Sequence, residues 1–142
     1  MTAFQIHETD WAHDAERLGA IRRVVFIDEQ GVPEALEWDA DDAGSVHLLA
    51  TGSDGSPIGC ARLLPDGHVG RMAVLPAWRG RGVGRALLAA AIRLARVQGH
   101  ATLRLSAQTH AAGFYADAGF AAVGDPYEEA GILHIAMQKC LN

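Results

Sequence analysis

Hydrophobic positions recur along this chain with two periods, and the switches between them mark its elements. Residues 3–7 alternate and predict a first strand, and Thr9-Asp10 offers a cap for a helix over 11–25 on which Leu18, Ile21, Arg22 and Val25 share a face. Gly31 and Pro33 break that helix and open an irregular acidic loop to Gly44. Runs over 45–51 and 58–64 read as strands joined by Gly52-Ser53-Asp54-Gly55-Ser56-Pro57, a hairpin composition, and Asp66-Gly67 turns the chain into a third strand. That strand ends near Leu75, because Pro76 has no ladder donor and restricts the residue before it. From Val83 to Gln98 the period becomes helical: Leu87, Leu88, Ala91, Ile92 and Ala95 make an apolar stripe, Arg85, Arg93 and Arg96 lie opposite, and Gly99 is the stop. A strand over 102–106, a short helix over 109–118 and a terminal pair over 120–123 and 132–137 complete the chain. The order β α (α) β β β α β α β β predicts an α/β fold with a mixed, mostly antiparallel central sheet flanked by helices.

Composition narrows the class. A length of 142 residues suits one domain that buries about two-thirds of its unfolded surface. No apolar run reaches the roughly 18 residues of a membrane span, and Met-Thr-Ala-Phe-Gln-Ile lacks a signal peptide's basic and apolar regions, so a cytoplasmic protein without a membrane partner is expected. Cys60 and Cys140 have no CxxC spacing, and His47, His110 and His134 match no zinc signature, so no metal is expected. The net charge of −5 argues against nucleic acid. Its distribution is more telling: Gly67 to Tyr115 carries seven arginines and no acid, whereas Asp28 to Asp42 carries seven acids and no base. One stretch suits an anionic ligand and the other a cationic one, unless the two are simply solvated surfaces that balance each other.

The chemistry concentrates at Arg79-Gly80-Arg81-Gly82-Val83-Gly84, between the third strand and the long helix. Alternating glycines leave backbone N–H groups uncovered where a helix has unpaired donors and a positive dipole end, and Arg79, Arg81 and Arg85 add charge suited to phosphate oxygens. A P-loop would need Lys and then Ser or Thr after the last glycine, where Arg85-Ala86 stands; the dinucleotide fingerprint fails in both frames, because its third glycine falls on Arg85 or Leu87. A plain left-handed turn is the bland alternative.

The loop does fit Gln/Arg-x-x-Gly-x-Gly/Ala through Arg79, Gly82 and Gly84, and here the chain resembles the GNAT superfamily of N-acetyltransferases. Gln108, then Tyr115 and Gly119-Phe120, resembles that superfamily's Asn-x7-Tyr-x3-Gly-Phe pattern with Gln for Asn. A narrower likeness, to the ElaA-like branch, runs through Val25-Phe26, Glu29-Gln30, Asp41-Asp42, His47, Ala107-Gln108-x-His110, Phe114-Tyr115 and Tyr127-Glu128-Glu129-x-Gly131-Ile132-x-His134. The resemblance implies one GNAT domain over 1–142, with acetyl-CoA as co-substrate and transfer to a primary amine of a small molecule or peptide by direct attack. It implies a coenzyme A site at Met72, Ala73, Val74, Arg79, Gly80, Arg81, Gly82, Val83, Gly84, Arg85, Gln108 and Phe114. Within it, N–H groups of Met72 to Val74 polarise the thioester and Tyr115 protonates sulfur. The acidic residues Glu29, Asp41 and Asp42 are expected to draw in the acceptor, with His47 reaching its amine. A silent acyl-CoA-binding module is the alternative; a homodimer is left open.

Overall fold

Asp10 starts the first helix as its cap, accepting the His13 N–H at 2.9 Å on its side-chain oxygen. This computed structural model describes residues 3–141, so Met1, Thr2 and Asn142 of the expected domain lie outside the described residues. Helix α1 (Trp11–Arg22) does not end at Val25 as its periodicity predicts; it continues as a π-helical turn over Arg23–Glu29. Gly31, at φ 73°, and Pro33 then stop it. The acidic loop holds two single turns, α2 (Glu34–Glu37) and α3 (Asp41–Gly44). After the strands come α4 (Val83–Val97) and α5 (Ala112–Asp117).

The strands are β1 (Phe4–Thr9), β2 (Val46–Gly52), β3 (Pro57–Leu63), β4 (His68–Val74), β5 (Thr102–Gln108), β6 (Ala121–Glu129) and β7 (Ile132–Cys140). They form one sheet in the order β1-β2-β3-β4-β5-β7-β6, antiparallel throughout except where β4 meets β5. This is the mixed, mostly antiparallel α/β fold that the pattern predicts. The last two strands outrun their predicted lengths, because β6 carries an irregularity between Val123 and Tyr127 that hides its alternation.

Each sheet face has its own core. On one, Leu87, Leu88, Ala91 and Ala95 of α4 pack on Leu48, Ile58, Leu63, Leu103 and Leu105. A Cβ on Gly59 would stand 3.1 Å from Val83, Leu87 and the Ala73 carbonyl, so glycine lets α4 approach β3 closely. On the other face, Leu18, Ile21 and Val25 cover Leu49, Cys60 and Ala73. Strand β4 changes faces part-way. Leu63 pairs with Val69 and Arg62 with Gly70, but the next register point pairs Cys60 with Ala73. Arg71 takes φ 47° at this bulge, a conformation costing about 1–3 kcal/mol for a side-chain-bearing residue. Val69 before the bulge, and Met72 and Val74 after it, therefore pack on the α4 side, while Ala73 turns to α1.

The acidic stretch is corrected by the fold. Arg22, only 1% exposed, is held by Glu37 (Nε to Oε2, 2.8 Å) and Asp42 (Nη1 to Oδ1, 2.7 Å), with its guanidinium against Trp11 and Trp38. Arg62 bonds Asp42 at 2.9 Å and Asp39 at 2.7 Å, and Arg71 reaches Glu37 at 3.1 Å and Asp39 at 3.2 Å. Three arginines thus face three carboxylates. Burial works to raise Asp42, but the bonds from Arg22 and Arg62 outweigh it and hold the carboxyl below its usual range; at Glu37 burial wins. Asp42 was expected to meet an acceptor and is instead part of this internal cluster. His47 is likewise withdrawn, at 1% exposure, with Nε2 donating to the Asp42 carbonyl at 2.8 Å and burial favouring the neutral ring. It lies on β2, two strands from β4, and cannot meet an incoming amine without unpacking.

Candidate active site

Strands β4 and β5 pair only at His68 with Arg104 and Val69 with Leu105, and then separate. From Gly70 to Val74 on one side and Ser106 to Gln108 on the other, a gap opens in the middle of the sheet. Leu75 N–H bonds the Ile58 carbonyl of β3 at 2.9 Å, so by strand alternation the N–H and C=O of Val74 point the opposite way, into the gap. A parallel pair that parts in this way leaves main-chain donors for a ligand.

The glycine loop stands at the mouth of this gap. Gly80 and Gly82 have φ of 76° and 86°, and an added Cβ at either would meet nothing within 4 Å, so the backbone angle rather than space calls for glycine. Gly82 caps the fifteen-residue α4 without a side-chain hydrogen bond, leaving the first N–H groups of the helix directed into the loop. Arg85 is exposed beside it, and the Arg81 guanidinium lies over the Trp78 ring at 5.3 Å. Arg79 is already engaged: Nε donates to the Val74 carbonyl at 3.0 Å, and both terminal nitrogens bond Glu29 at 2.6 Å. An open glycine cradle with inward N–H groups and arginines fits the diphosphate of an acyl-CoA.

Tyr115 reaches the gap from α5. Its ring is flanked edge-on by Phe114 at 5.1 Å and Phe120 at 6.1 Å, and its hydroxyl makes a 3.9 Å contact with the sulfur of Met72 on β4. Burial raises the phenol above its ordinary value, which keeps it a proton donor. Phe114 packs beside Gly84, 3.5 Å from where a Cβ would lie, and so seats α5 against the start of α4. At the end of β5, Gln108 Nε2 donates to Gln30 Oε1 at 2.8 Å.

Residues far apart in sequence therefore converge: Met72, Val74, Arg79 to Arg85, Gln108, Phe114 and Tyr115 surround the gap and its mouth. Two of the expected residues differ in detail: Ala73 turns its side chain to the α1 core and, by the same alternation, its N–H and C=O to β3, whereas Val83 buries its side chain and leaves only its backbone for a ligand. Glu29 lies at the gap but is bound to Arg79, and Asp41 is exposed on α3. Sequence reasoning named Gln30, Tyr127 and Glu129 only within the family likeness, without a role in the site, and did not single out Ser106. Register supplies the overlooked signal, because strand pairing sets Gln108 and Tyr127 directly opposite His134. Among the described residues no group of three or more His, Cys, Asp or Glu could hold a metal ion, and no helix is long and apolar enough to cross a membrane.

A gap between two parallel strands, fronted by a glycine loop at a helix start, defines the acyl-CoA-dependent acyltransferase class, and the acetyltransferase (GNAT) domain family matches residues 12–141. The chain belongs to the GNAT family. It is 41% identical over 127 residues to a UPF0039 protein of Synechocystis, covering 83% of this chain and 80% of that one. Among solved structures it is similar to an acyl-CoA N-acyltransferase from Pseudomonas aeruginosa, with a TM-score of 0.87, 31% identity, and coverage of 97% of this chain and 100% of that one. It is also similar to Escherichia coli ElaA, with a TM-score of 0.84, 28% identity, and coverage of 98% and 99%.

Proposed function

We propose that this chain transfers an acetyl group from acetyl-CoA to a primary amine by direct attack in a ternary complex. The observation that carries the reading is the Tyr115 hydroxyl brought to Met72 at the parting of β4 and β5, beside the glycine loop. Acetyl-CoA supplies an activated thioester when bound. The chain's own groups then have four tasks. Loop N–H groups with Arg81 and Arg85 hold the diphosphate; the Val74 N–H faces the thioester oxygen as charge develops there. The gap sets the amine beside the carbonyl. Tyr115 gives its proton to the departing sulfur. Cys60 takes no part as an acyl carrier: it is buried, donates to the Arg71 carbonyl at 3.3 Å, and burial pushes its thiol up to about 12.

Acetyl-CoA should raise the thermal stability of the protein, by about 2.7 kcal/mol at a hundredfold excess over its Kd. Gly82→Asp sets a carboxylate against the diphosphate at a left-handed position and should abolish the gain. Comparing the melting shift of each protein with and without acetyl-CoA is the test; an equal shift in the variant rejects the loop as the site.

A further inference from the structure

Helix α1 lies over β2, β3 and β4, and beyond them its face of the sheet is uncovered: Arg104, Ser106 and Gln138 are exposed, as is every residue of β6. Leu103, Leu105 and Ala107 of β5 turn to the α4 core, so Ser106 and Gln108 stand on this open face. Pairing places His134 beside Gln108, Ala136 beside Ser106, and Tyr127 beside His134, all on the same face. Because Ala136 is small, the Tyr127 hydroxyl passes over it to hydrogen-bond Ser106, and the Tyr127 ring stacks on His134 with centroids 6.1 Å apart.

His134 is itself only 9% exposed on this face, and a backbone partner sets its tautomer. Its Nδ1 lies 2.7 Å from the Ile132 carbonyl, which can only accept, so Nδ1 carries the hydrogen and the lone pair of the neutral ring is on Nε2. That Nε2 faces Glu129 Oε2 at 3.8 Å, and the Glu129 side chain is 62% exposed. His47 has the reverse arrangement, with Nε2 donating inside the arginine cluster. Position matters as much as tautomer. Gln108, one strand spacing of about 4.8 Å from His134, ends the β5 side of the gap, whereas Tyr115 packs with the α4-side core. The two proton-transfer groups thus lie on opposite faces of the sheet, on either side of the opening between β4 and β5.

We propose that this patch is the acceptor site, that it takes a primary alkylammonium attracted by Glu129, and that His134 Nε2 is the base; the assignment rests on the acyl-transfer reading above. The ammonium gives one proton to Nε2, and its nitrogen lone pair forms the new C–N bond at the thioester carbonyl. The C–S bond breaks with its electron pair on sulfur, which takes the Tyr115 proton. The surplus proton on nitrogen returns through solvent to Tyr115, and the one on His134 leaves to solvent. Glu129 stabilises the imidazolium in between.

Thiol release from acetyl-CoA, taken above the enzyme-free rate, tests this with two amines: benzylamine, protonated at neutral pH, and trifluoroethylamine, a primary alkylamine that is neutral there. His134→Gln should lose about 100-fold or more in kcat/KM for benzylamine, the range of general-base catalysis, and much less for the neutral amine. Acetyl-CoA's melting shift should persist. Glu129→Gln, at an exposed position with little risk to folding, should raise KM for benzylamine and not for the neutral amine. Equal losses with both amines in His134→Gln, or an unchanged benzylamine rate, overturn the base assignment alone. Wild-type protein that releases no thiol above the enzyme-free rate with either amine overturns acyl transfer to primary amines, and the assignment with it.

Discussion

Glu29 and Arg79, fifty positions apart, are joined by two hydrogen bonds of 2.6 Å, and this fork ties the end of the π-helical turn to the start of the glycine loop. The bonds from Arg79 hold the Glu29 carboxyl below its usual range. Gln30, the next residue, bonds Gln108 across the gap. Consecutive residues of one turn thereby grip both sides of the opening, the loop after β4 and the end of β5. A π-turn, wider than an α-turn, is a common device at such sites. The same contacts explain the segregated charges, because Arg79 and Arg71 of the basic stretch pair with Glu29, Glu37 and Asp39 of the acidic one.

In that arrangement Glu29 competes with a bound anion for Arg79. Glu29→Gln should tighten binding of coenzyme A, and since exposed ion pairs contribute about 0.2–1 kcal/mol, the Kd should fall by up to about fivefold. Isothermal titration at low salt measures it, and the difference should shrink at high salt. An unchanged Kd means that Arg79 stays on Glu29 in the complex.

The buried arginine cluster predicts a contrast between neighbours. Asp42→Asn leaves Arg22 and Arg62 short of a counter-charge inside the protein, and removing one partner of a buried pair costs about 3–5 kcal/mol. Asp41 is exposed, so Asp41→Asn should cost less than about 0.5 kcal/mol. Urea denaturation of the two variants decides it: similar losses would show that Asp42 is solvated and available to an acceptor after all.

The division between what the sequence revealed and what it hid follows the range of the interactions. The glycine loop, the α4 stripe and the Asp10 cap depend on residues within one or two turns of each other, so local patterns disclose them. Met72 and Tyr115 enter the expected site only through family resemblance, and their contact is not legible in the sequence, because the bulge at Arg71 reverses the alternation that would have aimed β4. Asp42 and His47 were misread for a related cause: three carboxylates in an acidic run look solvated until Arg22, Arg62 and Arg71 arrive from three other elements. His134 is named by the sequence only as a histidine without zinc spacing and as part of the family likeness. Its partners come from across strand pairs, and nothing short of the register connects Ser106 to Tyr127.

Tyr115 offers the most direct test of the chemistry, since catalytic and structural roles predict different losses. Tyr115→Phe keeps the ring between Phe114 and Phe120 and removes only a hydroxyl that lies 3.9 Å from a thioether sulfur, a weak acceptor. Melting temperature and coenzyme A affinity should therefore hardly change. If the hydroxyl acts in the transition state, kcat and kcat/KM fall together by about 100-fold or more. Burial keeps the phenol protonated past its ordinary 10.0, so an alkaline loss of kcat arising from Tyr115 should begin above that value in the wild-type enzyme and be absent from the variant. The deficit should also shrink with an acyl donor whose leaving group is a weaker base, because such a group departs without being protonated. A kcat near that of wild type with acetyl-CoA would transfer the acid role to water or another residue, and a lowered melting temperature with kcat retained would make Tyr115 a packing residue.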